Sequence, residues 1–435
     1  MISILKSSSS EFMARLDAYL ALPSKDTDQV QSQVRDIISD VEKHGDDALL
    51  KYTRKYDGLE VGSAKELIVS DEAIRAAPAQ LEREVSQALQ RSIERVREYH
   101  LRQKAVLADT DWSYQDSFGN QLGQRVRPIR KVGIYAPGGK AAYPSTIIMT
   151  AIPAMVAGVK EICLAVPSRT GTLDPILLAA AHYTGISRVY TMGGAQAIAA
   201  LAYGTSTISK VDKICGPGNL YVATAKQQVF GQVGIDMIAG PSEVLIVADE
   251  TANVDWLVAD MLAQAEHDEL AQAIVVSQSE KVLTEINARL SAAIAQSQRM
   301  AIVQTSIRNR GLLIHAQSAS ELSDIVNKIA PEHLELAVSQ PEQLLQSIDN
   351  AGAVFVGQYS PEVVGDYAAG PSHVLPTGGT ARFASVLGVY DFQVRSSLIH
   401  CSPSGVLPLA KDAAILAEQE GLFGHAKSAH IRLQG

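Results

Sequence analysis

Three cysteines in 435 residues build neither a disulfide framework nor a CxxC metal site, because Cys163, Cys215 and Cys401 are odd in number and widely scattered. A reducing compartment is the simple inference. Aromatic residues are scarce at 5%, while Ala, Val, Ile and Leu are abundant, a balance suited to helices packed over buried parallel strands. Positive charge is not in excess. The 38 Lys and Arg against 47 Asp and Glu give a net charge of −9, and no basic block stands out, which argues against nucleic acid as a partner. A long unbroken apolar run is missing too. The longest, Thr146 to Pro167, is interrupted by Pro153 and by Lys160-Glu161, so it predicts a helix followed by a buried strand instead of a membrane span. The N-terminal Met-Ile-Ser-Ile-Leu-Lys does not have the form of a signal peptide. The expectation is a cytoplasmic protein without membrane contact. The strict GxGxxG and HExxH signatures are also absent.

What is present is organised α/β sequence. The length predicts two or more domains. Val30, Val34, Ile37, Ile38 and Val41 follow helical spacing, and a second helical run extends from Asp71 to about His100. Glu66–Ser70 reads as a short strand between them. From Lys131 onward strands alternate with helices. The predicted strands are Lys131–Tyr135, Ile162–Val166, Val189–Met192 and Lys213–Cys215, then Val244–Ala248, Ala273–Val276, Leu312–Ile314 and Ala353–Val356. Such alternation implies parallel, doubly wound sheets. The fold class is therefore α/β, with two incomplete Rossmann-like domains and small N- and C-terminal extensions. The expected boundaries are an arm at 1–25, one α/β domain made of 26–130 with 240–380, a second at 131–239, and an extension at 381–435. The early helices are expected to pack on the 240–380 unit. The extension is too small for a core of its own and should lean on another domain or subunit.

Four of the ten histidines sit in particular words: Gln264-Ala-Glu-His-Asp268, Pro331-Glu-His-Leu-Glu335, Gly365-Asp-Tyr-Ala-Ala-Gly-Pro-Ser-His373 and Glu420-Gly-Leu-Phe-Gly-His425. Gln264 and His267 are three apart on a predicted helix and share a face. With Asp366 and His425 they offer two imidazoles, a carboxylate and an amide oxygen, a set that zinc accepts. Spacing alone leaves open that His267 is a surface histidine and Asp366 a turn residue. Glu332-His333, on a helix segment started by Pro331, offers a proton shuttle and a water-activating carboxylate, or simply a solvated helix start. His373 is a loop histidine or a substrate contact. The glycine turns at Ala136–Gly139, Gly193-Gly194 and Gly216-Pro-Gly-Asn219 lie between strands and helices, where backbone amides can hold an anion, although many such glycines only end strands. Cys215 reads as a buried strand-end residue, not a nucleophile. A zinc hydrolase with Glu332 activating a metal-bound water is a competing reading.

Taken in order, these words resemble the histidinol dehydrogenase family from about residue 30 to 430. The resemblance is carried by Gly193-Gly-Ala-Gln-Ala-Ile-Ala-Ala-Leu-Ala202, Gly216–Asn219, Ala239-Gly-Pro-Ser-Glu243, the four histidine words and His373-Val-Leu-Pro-Thr-Gly-Gly379. It implies NAD-dependent oxidation of L-histidinol through L-histidinal to L-histidine. One zinc per subunit would be held by Gln264, His267, Asp366 and His425, with His425 coming from the other subunit of a homodimer. His333 would be the base and Glu332 would activate water. Ser242, His373 and Glu420 would contact the substrate together with the zinc set and the Glu332-His333 pair. Tyr135, Gln196 and Asn219 would contact NAD. One departure stands out: Ser372 occupies a position where the family often has Asn, and a retained loop with altered hydrogen bonds is expected.

Overall fold

A computed structural model describes residues 2–21, 27–108, 111–138 and 142–434; Gly139 of the first glycine turn and part of the 1–25 arm lie outside them. The chain opens with strand β1 (Ile4–Lys6) and a helix, Phe12–Leu20, followed by helices from Thr27 to Gln103. Strands β2 (Trp112–Gln115) and β3 (Gln121–Pro128) lead into β4 (Lys131–Tyr135), β5 (Glu161–Ala165), β6 (Arg188–Tyr190), β7 (Lys213–Cys215) and β8 (Gly234–Ile235). Then come β9 (Glu243–Ala248), β10 (Gln272–Ser277), β11 (Gly311–His315), β12 (His333–Ala337) and β13 (Ala353–Val356). The chain closes with β14 (Gln393–His400) and two helices, Val406–Gln419 and Phe423–Leu433.

Two parallel sheets carry the fold. One runs β6-β5-β4-β7-β8, the other β1-β11-β10-β9-β12-β13. In each, the first strand of the unit is central and the order reverses beside it, between β4 and β7 and between β9 and β12, the doubly wound arrangement. Every residue of β9, β10 and β12 is buried, which explains their near-continuous apolar runs. Thr146–Pro167 divides into the buried helix Pro144–Ala157, which runs through Pro153, and β5. No described helix is long and apolar enough to cross a membrane.

The early helices do not pack where the sequence reading put them. Val30, Val34, Ile37, Ile38 and Val41 join one core with Ala197–Ala202 and Ile214. Leu89, Ile93 and Val96 join another with Ile147, Ile148 and Ile152. These helices therefore cover the five-stranded sheet. Its own crossover helices are short and Ala-rich, as in Gly194–Tyr203, and leave apolar area for them to bury. The arm belongs to the other unit: β1 pairs with β11, and Phe12 and Leu16 pack among Leu245, Ile274 and Ile314.

Three local readings also change. Glu66–Ser70 is not a strand; a tight turn of helix spans Ala64–Leu67, and Ile68 makes a single bridge to Tyr190. Glu332-His333 does not start a helix. His333 opens β12, where Leu334 and Leu336 are clamped between β9 and β13. A third sheet, antiparallel β14-β3-β2, was not expected. Through it the C-terminal extension is anchored, since β14 pairs along its whole length with β3.

Candidate active site

The amino ends of β9 and β12 bring the acidic and imidazole residues together, at the order reversal of the six-stranded sheet. His333 Nδ1 lies 3.0 Å from the Glu243 carbonyl oxygen. A carbonyl accepts and cannot donate, so Nδ1 carries the hydrogen. Nε2 is then the atom that takes up or releases the imidazole's second proton; it is buried without a hydrogen-bond partner and 3.6 Å from Asp366 Oδ1. Glu332 Oε2 accepts from the Glu243 N–H at 2.8 Å and stands 3.7 Å from His333 Nδ1. Glu243 is thus a backbone bracket that holds both members of the Glu-His pair.

Asp366 sits on the short helix Glu362–Tyr367, with His373 Nδ1 3.7 Å away. The loop carrying His373 is fixed by two contacts to the β9 approach. Gly378 N–H donates to Glu243 Oε1 at 3.1 Å, and Gly240 N–H donates to Thr377 Oγ1 at 2.6 Å. Ser372 keeps its place through Oγ, which donates to the Met149 carbonyl and accepts from Val374 N–H, both at 3.2 Å. Ser242, half-buried, immediately precedes β9.

Gln264 lies in the last turn of the helix Val254–Ala265, and His267 just beyond it, not on it, with its N–H donating to the Gln264 carbonyl. Both Gln264 amide atoms and His267 Nδ1 are buried without hydrogen-bond partners. Buried polar atoms without partners are rare, and these three, with the Asp366 carboxylate that bears electrostatically on His267, are a donor set of the kind zinc accepts. Among the described residues, His333, Glu362 and Asp366 also have potential ligand atoms within 4.8 Å of one another. Asp366 is common to both sets. The His333, Glu362 and Asp366 cluster would hold a metal on the base itself, whereas the Gln264 amide and His267 Nδ1 have no hydrogen-bond partner in the protein.

Charge settles unevenly across the cluster. Burial disfavours the His333 cation, but the Glu362, Glu332 and Asp366 carboxylates outweigh it and raise the imidazole well above its ordinary value. Burial pushes Glu332 up to about 7 and lowers His267, which favours the neutral imidazole a metal needs. Asp366 is also desolvated, yet the imidazoles of His333 and His373, 3.6 and 3.7 Å from its Oδ1, hold it below the usual carboxylate range. Glu362, raised by burial, was not singled out from the sequence. It contacts His333 Nδ1 at 3.7 Å, and its N–H donates to Glu335 Oε1. Nothing in its surroundings, Ser-Pro-Glu-Val, marks it.

His425 and Glu420 lie elsewhere. His425 is in the first turn of Phe423–Leu433 and not between mobile glycines, because Gly424 is helical. Both side chains border one groove between the two C-terminal helices. That hairpin exposes Leu409, Ile415, Leu416, Leu422 and Phe423, so an apolar face and two candidate site residues are presented together, away from their expected partners.

The turns at Ala136 and Gly216 follow β4 and β7, at the order reversal of the five-stranded sheet where doubly wound proteins bind ligands, and Gly193-Gly194, which follows β6, is tied to them through Tyr135. Tyr135 Oη accepts from Gly194 N–H at 3.2 Å. Gln196 is 1% exposed, and its Nε2 donates to Asp57 Oδ2 at 3.2 Å, which fixes the amide and leaves Oε1 as the acceptor. Asp57 also accepts from Gly193 N–H at 3.2 Å, and burial raises it to about 6. Asn219 caps the helix Leu220–Val229 by accepting from Val222 N–H.

Comparison with known proteins bears on the chain as a whole. The family model described as histidinol dehydrogenase matches residues 20–433. A histidinol dehydrogenase of Pseudomonas savastanoi pv. phaseolicola is 51% identical over 423 residues, covering 97% of this chain and 94% of that protein. That of Neisseria meningitidis serogroup B is 49% identical over 430 residues, with 99% of both covered. The crystal structure of the enzyme from Elizabethkingia anophelis superposes with a TM-score of 0.91 at 34% identity, over 100% of this chain and 98% of that one.

Proposed function

This chain belongs to the histidinol dehydrogenase family, and from that premise we propose that it oxidises L-histidinol through L-histidinal to L-histidine, using two NAD and one zinc per subunit. The observation that carries the reading is His333. Its Nδ1 is committed to the Glu243 carbonyl, so Nε2 is the atom that exchanges a proton, buried and facing Asp366, with Glu332 on the Nδ1 side of the ring.

His333 Nε2 takes the proton from the substrate hydroxyl, which makes the carbinol hydrogen a better hydride donor. Tyr135, Gln196 and Asn219 would hold the NAD, which would supply the hydride acceptor. Glu332 then draws a proton from a water molecule as it adds to the aldehyde, and its buried carboxylate, raised to about 7, suits proton exchange near neutrality. His333 removes the hydroxyl proton again for the second oxidation. Gln264, His267 and Asp366, with His425 from a second subunit, would hold the zinc, which would supply a fixed grip on the substrate imidazole and amine. Ser242, His373 and the second subunit's Glu420 would complete the substrate contacts. Retention of the reactive aldehyde between steps is what such a grip achieves. The exposed apolar face that carries Glu420 and His425 supports a homodimer with shared sites. The mixed parallel sheets and paired glycine turns favour a dehydrogenase over a zinc hydrolase.

The test is stoichiometry. Zinc-loaded protein given L-histidinol and excess NAD should yield two NADH and one histidine per histidinol. Absence of NADH from folded, zinc-containing protein would sink the reading.

A further inference from the structure

Beneath the Gly216–Asn219 turn lies an ion pair that the proposed chemistry does not use. Lys226 and Asp236 side chains are 2% and 1% exposed, a costly place for two charges. Both bind the same peptide unit region. Asp236 Oδ2 accepts from Gly216 N–H at 2.7 Å. Lys226 Nζ donates to the Gly216 carbonyl at 2.8 Å and to Asp236 Oδ1. The residue is therefore gripped on both its donor and its acceptor, by one side chain from the helix that follows it and one from the end of β8.

Gly216 is held in an unusual place. Its φ is +113°, and a Cβ there would lie 2.0 Å from the Tyr135 carbonyl oxygen. Tyr135 and Asn219, two of the residues proposed to meet NAD, are thus positioned against each other through Gly216. A buried ion pair adds little net stability, and apolar residues of similar volume often replace one without loss. A bridge that spans both backbone polar groups of one glycine does something packing cannot: it sets the angle of the turn.

We infer that Lys226 and Asp236 are positioning residues that clamp Gly216 so that Tyr135 and Asn219 present one preformed mouth to the dinucleotide. The inference rests on the NAD reading above. The clamp's hydrogen bonds run to Gly216 and between its own two side chains, not to Glu332 or His333, so it governs cofactor affinity and not the rate of chemistry on bound substrate.

The test uses the full-length, zinc-loaded protein and NAD itself as probe. Calorimetric titration of NAD into the wild type comes first; no binding would overturn the NAD reading and the clamp with it. Given binding, the double variant Lys226→Met/Asp236→Asn removes both charges together, leaving no lone buried ion. KM for NAD should rise about tenfold or more, with kcat at saturating NAD within about threefold of wild type and zinc content unchanged. Unchanged KM for NAD, or a loss confined to kcat and melting temperature, would overturn the clamp. Should the double variant not fold, Lys226→Arg decides. It keeps the charge but enlarges the head group, so the turn is pushed outward and KM for NAD rises, while a wild-type KM overturns the inference.

Discussion

Replacing Gln264 by Met should stabilise the zinc-free protein and lose or reverse that gain once zinc is bound. Gln264 is 0% exposed, and neither amide atom has a hydrogen-bond partner in the protein. Burying an amide without partners costs about 1–3 kcal/mol. Met is close to Gln in volume and carries no such atoms, so packing changes little. In the chelated protein, Gln264→Met should therefore raise stability by about 1–3 kcal/mol, a rise of a few degrees in melting temperature. With zinc the variant lacks one proposed ligand. A loss of about 100-fold in affinity corresponds to about 2.7 kcal/mol of metal-linked stabilisation. Set against the gain seen in chelator, this leaves the zinc-loaded variant between roughly level with the wild type and about 2 kcal/mol less stable, so the advantage it shows in chelator should vanish or reverse. Calorimetric scans in chelator and in buffered zinc, with a competitive zinc titration, give both numbers. A lower melting temperature for the chelated variant would show that the amide is satisfied by the protein. Unchanged zinc affinity would remove Gln264 from the ligand set.

Three further outcomes are expected. His333→Asn should lower kcat by about 100- to 10,000-fold while zinc content and melting temperature stay near wild type; near-normal turnover would exclude His333 as the base. His333→Asn and His425→Asn protomers, each inactive alone, should recover up to about a quarter of wild-type activity in a random equal mixture, since half the dimers then carry one intact site; no recovery in verified mixed dimers would refute shared sites. Asp57 favours its protonated form in the folded state, so its contribution makes stability fall as pH rises from the ordinary carboxylate range through about 6. The difference in unfolding free energy between Asp57→Asn and wild type should grow by up to about 3 kcal/mol across that window and level off above it, and a flat difference would mean that Asp57 is not desolvated.

Parallel strands announced themselves because each is a buried run bounded by turn residues, and the amphipathic stripe from Val30 to Val41 marked its helix. The histidine words were legible because imidazoles beside carboxylates are uncommon. What could not be read was which surface each helix covers: Leu89 or Val34 would satisfy either sheet, and only the space left by the short Ala-rich helices decides. Strand β12 was hidden because Pro331 and Glu332 imitate a helix start, although Leu334 and Leu336 already alternate. The antiparallel sheet was missed because its strands, mostly exposed along β2 and β14, lack the apolar alternation that gives strands away. Glu243, Glu362, Lys226 and Asp236 were silent for another reason. Their importance lies in partners far away in sequence.

The pairing of β1 with β11 joins residues 4–6 to residues 313–315. During synthesis the first strand made must wait for more than two-thirds of the chain before its neighbour exists. Until it docks, the flank of β11 offers unpaired backbone groups to any other nascent chain. The arm thus serves as a sealing strip, applied last though translated first. Trimming the amino terminus would leave a finished sheet with an open border, with self-association as the cost.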